Sequence, residues 1–93
     1  MTIRRILKKT SDILKISINK LKGSDKTREI TDARKFASAI LKEEGYNSIV
    51  TGHSLNKTQS SISRCLKEHN NLLKFDEQYS DNFNKFYNKF YNL

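Results

Sequence analysis

The chain has no proline, no tryptophan, one cysteine, one methionine and three glycines in 93 residues. So few turn formers argue against a sheet with many hairpins and favour helices joined by short connections. A single cysteine, Cys65, excludes an intramolecular disulfide and fits a reducing, cytoplasmic setting. No apolar run approaches the roughly 18 residues that a membrane span needs. The opening "MTIRRILKK" carries charge without an apolar stretch behind it, so no secretory signal is expected. Acidic residues are also scarce, with 10 Asp and Glu against 18 Lys and Arg.

The resulting charge of +8 is uneven. Residues 1–35 carry 11 Lys and Arg against 4 acids, whereas residues 36–93 carry 7 against 6. Such a concentration points to a polyanionic partner, against the plainer reading of solubility alone. The length suits one small domain over residues 1–93.

Periodicity places Ile3, Ile6, Leu7, Thr10, Ile13 and Leu14 on one stripe of a first amphipathic helix. In "KISINKLKG", Ser17 can cap a short helix and Gly23 can close it in a left-handed conformation. A long helix is expected over about 27–44, capped by Thr27 or Asp25 and stopped by Gly45. Ala33 and Ala37 lie four apart on its apolar face and allow another helix to approach closely. "YNSIVTGHS" reads as a short helix, since a lone strand has nothing to pair with. Asn56 and Gln59 have the form of a capping box for a helix over about 57–73, whose buried face carries Ile62, Cys65, Leu66 and His69. The tail repeats Tyr79, Phe83, Phe86, Tyr87, Phe90 and Tyr91 at helical spacing over about 76–91. An aromatic stripe of this kind is expected to pack on the core or on a second subunit, with a base-stacking surface as the competing reading.

No catalytic constellation stands out, so an enzyme is not expected. Cys65 and His69 share i, i+4 spacing, but a structural zinc wants four ligands, and no metal or cofactor is expected. Glu43 and Glu44 are adjacent and cannot face each other as an acid–base pair. The glycines are too dispersed for a phosphate loop. What remains is a helix, a turn at 52–56 and a second helix beginning with small polar residues, a helix-turn-helix pattern over about 46–73. Ser60 and Ser61 would permit close approach to a groove about 12 Å wide, Gln59 could reach base edges, and Lys57 and Arg64 supply charge.

The order of these features resembles the C-terminal DNA-binding domain of DnaA, the bacterial chromosomal replication initiator, over roughly residues 3–90. Three stretches carry the resemblance. "KISINKLKGSDKTREITDAR" resembles a short turn of helix leading through a basic loop, and "ARKFASAIL" resembles the long helix that follows. "LNKTQSSISRC" resembles the signature G-R-D-H-T-T-V-x-H-A. The resemblance implies an all-α bundle of about six helices, Trp-repressor-like, that binds double-stranded DNA sequence-specifically in replication initiation or transcription control. It implies that Lys57, Thr58, Gln59, Ser60 and Ser61 face the major groove. It also implies that Lys26 enters the adjacent minor groove, with Arg28 and Arg34 as further basic positions. Thr58-Gln59 departs from the family's Asp-His pair, and Lys26 replaces an arginine without offering its planar fork. The ATPase portion of the initiator has no counterpart, so a stand-alone phage or mobile-element protein, monomeric or weakly dimeric, is the expectation. The alternatives are a module engaging host replication or transcription proteins, which would suit the aromatic tail, and RNA binding.

Overall fold

The computed structural model describes residues 1–92. Among them are six α-helices and no strand: α1 (Ile3–Leu14), α2 (Ile18–Lys22), α3 (Arg28–Glu43), α4 (Ser48–Leu55), α5 (Gln59–Phe75) and α6 (Glu77–Asn92). The all-α expectation of about six helices holds.

Local chemistry explains most boundaries. Thr2, Ser17, Asn47 and Thr58 each accept a backbone N–H from the first turn of α1, α2, α4 and α5. Asp76 does the same for α6, accepting from the Tyr79 N–H at 3.0 Å. Gly45, at φ +95°, follows α3 in a conformation that side chains resist. Two expectations need correction. Gly23 sits at φ −83° rather than in the left-handed region. The cap of α5 is Thr58 and not Asn56, because Asn56 is left-handed at φ 56° and ends α4 instead. Helix α5 therefore starts at Gln59, two residues later than expected, and no Asn56–Gln59 capping box forms.

Helix α3 is the scaffold, and it divides the core. Its Ile30, Ala33 and Ala37 pack with Leu7, Ile16, Leu21, Leu55 and Ile62, joining α1, α2, α4 and α5. Phe36, Ile40 and Leu41 pack with Ile6, Tyr79, Phe86 and Phe90 of α1 and α6. Small residues on one flank let α5 come close, while the larger flank meets the aromatic helix. Phe36 is stacked on Phe86 at 5.3 Å and meets Tyr79 edge-on at the same separation. The aromatic stripe of α6 is thus mainly core, as expected. Lys9 closes the far end, its ammonium donating to the Phe90 carbonyl and lying 4.5 Å above the Phe90 ring.

Candidate nucleic-acid interface

Helices α4 and α5 are separated by Asn56, Lys57 and Thr58 alone. The turn is backbone against backbone at Gly52, where an added Cβ would lie 2.6 Å from the Lys57 carbonyl oxygen. Only glycine fits there, and its hydrogen lets the Lys57 N–H donate to the Gly52 carbonyl at 2.8 Å. This contact fixes how the first turn of α5 leaves the body. Thr58 Oγ1 accepts from the Ser61 N–H at 3.1 Å and donates to Ser61 Oγ at 3.0 Å. Both side chains are thereby committed to the cap. Gln59, Ser60 and Arg64 are exposed.

The exposed face of α5 continues beyond the residues expected from sequence. Ser60, Ser63, Arg64 and Lys67 recur at three- and four-residue spacing, and all four are exposed. Ser63 and Lys67 were legible as the polar complement of Ile62, Cys65, Leu66 and His69, but the resemblance implied no role for them.

Two expected contact residues are used inside the protein. Arg34 is 8% exposed, and its guanidinium donates to four carbonyls: Leu21 at 2.9 Å, Asp25 at 2.6 Å, Lys20 at 3.0 Å and Gly23 at 2.9 Å. This corrects the expectation that its charge faces outward. Lys57 is half-buried, and its ammonium donates to the carbonyls of Gly23 at 2.6 Å and of Lys22 and Leu55 at 3.3 Å. Burial and the neighbouring Arg34 charge hold that ammonium below the ordinary lysine range. It too is turned inward. Together these cations fasten the 23–27 loop to the α4–α5 turn, so Lys26, exposed on that loop, sits beside that turn. Arg28 is exposed at the start of α3 but pairs with Asp32 at 3.7 Å and Asp76 at 3.2 Å.

The groups with reactive chemistry lie elsewhere. The His69 ring is 4% exposed, and its Nδ1 is 2.6 Å from the Tyr79 hydroxyl. Burial, followed by the charge of Lys35, pushes the His69 pKa down to about 4, while burial raises that of Tyr79. A neutral imidazole accepting from a protonated phenol satisfies both groups. Cys65 lies against Ser38, and burial pushes its thiol up, away from nucleophilic character. Among the described residues, no group of three or more His, Cys, Asp or Glu side chains is placed to hold a metal ion. No described helix is long and apolar enough to cross a membrane. In comparisons with known proteins, the chain matches no family model and no curated protein.

Proposed function

We propose that the protein binds double-stranded DNA, with α4 and α5 as a helix-turn-helix and the start of α5 read into the major groove. The target would be recognised in replication initiation or transcription control. The observation that carries this reading is the first exposed turn of α5. It is polar and exposed at Gln59 and Ser60, follows a glycine-locked turn, and has the Lys26 loop fastened at that turn. Gln59 and Arg64 offer hydrogen-bond donors to base edges, while the serines add little bulk to obstruct entry. Arg34 and Lys57 serve this reading indirectly, as positioning residues for the loop and turn.

Selection from a random duplex library at 100 mM salt (about the range where specific binding is distinguishable) tests it. An enriched motif is expected, and Ser60→Tyr should abolish enrichment by blocking the groove-facing turn. Failure of the wild type to retain any duplex at low salt would overturn the reading. A protein-interaction role keeps one specific observation in its favour, the exposure of Phe75 at 85% and Ile49 at 54%. It loses the aromatic tail, whose Tyr79, Phe86 and Phe90 are buried.

A further inference from the structure

The eleven cations of residues 1–35 do not remain equally available. Lys8 pairs with Asp12, Arg28 with Asp32 and Asp76, and Lys35 with Asp32 and Glu68. Lys9 is held by the Phe90 carbonyl and ring, and Arg34 by four carbonyls. The six remaining cations are all exposed, and three of them, Arg4, Lys22 and Lys26, are connected by two adjoining clefts. Arg4 and Lys22 line one, of about 420 Å³, against Ser54 of α4. Lys22 and Lys26 line the next, of about 510 Å³, against Asn56 in the α4–α5 turn. Neither cleft has an acidic lining residue. The groove at the other end of α1 contrasts with this. There Arg28, Lys85 and Lys89 share the lining with Glu29 and Asp32.

The geometry points to Arg4 and Lys22 as phosphate-holding residues, extending the interface from the Lys26 loop across α2 onto α1. This rests on the duplex-binding reading above. The strip runs beside the turn that launches α5, so a duplex engaged by Gln59 and Ser60 would present its backbone along it. It also supplies the outward charge that the inward-turned Arg34 and Lys57 do not. Polar side chains at Ser24 and Asn56 border the Lys26 cleft and can donate to phosphate oxygens. Adjoining clefts without an acidic lining residue suit a regular polyanion, whereas the mixed groove does not.

The test measures duplex affinity by fluorescence anisotropy across a salt series for wild type, Arg4→Gln/Lys22→Gln, Arg4→Lys/Lys22→Arg and Lys85→Gln/Lys89→Gln. Each neutralised contact removes roughly 0.9 from the slope of log K against log salt. The first variant should therefore flatten the slope by about 2 units and weaken low-salt binding at least tenfold. The charge-preserving variant and the α6 variant should keep the wild-type slope. An unchanged slope in Arg4→Gln/Lys22→Gln, with wild-type duplex binding intact, overturns the extension alone. An equal loss in Lys85→Gln/Lys89→Gln also overturns it, since net charge would then suffice. Absence of duplex binding by the wild type removes the underlying reading as well.

Discussion

Lys57 Nζ and Arg34 Nη2 reach one acceptor, the Gly23 carbonyl oxygen, at 2.6 and 2.9 Å. Two cations on α3 and on the α4–α5 turn are drawn together by a backbone group, without a carboxylate between them. The arrangement works because the 20–25 segment turns several carbonyls toward α3, and each is a partial negative charge. Gly23 is valuable here for its carbonyl and its bareness rather than for a left-handed φ.

Arg34 should accordingly be among the most sensitive polar positions. Arg34→Met would remove a donor from four carbonyls, of which Gly23 keeps Lys57 and Lys20 keeps the Gly23 N–H, and is expected to cost about 3 kcal/mol. Arg34→Lys should recover little, because one ammonium cannot reproduce a planar fork spread over four acceptors. Lys57→Met, which removes three contacts at a half-exposed site, should cost about 1 kcal/mol. Urea denaturation of the three variants orders them. Equal stability of Arg34→Lys and wild type would show that the fork is not what holds the loop.

Gly52 and Gly45 make a controlled pair. At Gly52 an alanine Cβ would meet the Lys57 carbonyl oxygen at 2.6 Å, so α4 and the turn must move apart. Gly52→Ala should lose about 2–3 kcal/mol, and with it the alignment of the first turn of α5. At Gly45 nothing lies within 4 Å of an added Cβ, but φ is +95°. Gly45→Ala should then cost roughly 1 kcal/mol through backbone strain alone. Thermal melts separate these values, and the reverse order would contradict the packing at the turn.

The helices were legible because the chain repeats apolar residues at helical spacing and places Thr, Ser, Asn and Asp at helix starts. Ala33 and Ala37 announced a close helix approach, and α5 meets them through Ile62. The end of α1 was less legible, because it stops on Lys15 at φ 57°, where no glycine or asparagine gives warning. The shared acceptor of Arg34 and Lys57 was invisible for a different reason. Arginine and lysine in a basic segment read as outward charge, and only tertiary structure shows carbonyls turned to meet them. Lys35, buried at 7% exposure between Asp32 and Glu68, is illegible for the same reason. The exposed edge of α5 was readable as polarity, but its start was misplaced because Asn56 resembles a cap in sequence and serves as a terminator in space.

Phe75 and Phe86 should separate exposure from burial in the aromatic segment. Phe86 is 2% exposed and stacked on Phe36, so Phe86→Ala should cost about 3–5 kcal/mol. Phe75 is 85% exposed at the end of α5, and Phe75→Ser should shift stability by no more than about 0.5 kcal/mol. Chemical denaturation of both variants checks the contrast. A large loss in Phe75→Ser would mean that this ring is covered in solution.

His69 gives the fold a pH dependence of definite sign. Its ring is neutral in the folded protein, with a pKa pushed from 6.5 down to about 4, while the unfolded chain takes up a proton near 6.5. Stability from this group is therefore complete above pH 6.5 and declines as pH falls toward 4, because protonation favours the unfolded chain. Below pH 4 both states are protonated and the decline from this group ends. The whole effect amounts to at most ~3 kcal/mol. His69→Gln retains an acceptor for the Tyr79 hydroxyl without a titratable ring. Denaturation midpoints at pH 7, 5.5 and 4.5 should converge, with the wild type losing more than His69→Gln across the series. Parallel curves for the two proteins would mean that His69 takes up its proton without disturbing Tyr79, and that the buried ring is not what sets the acid limit of the fold.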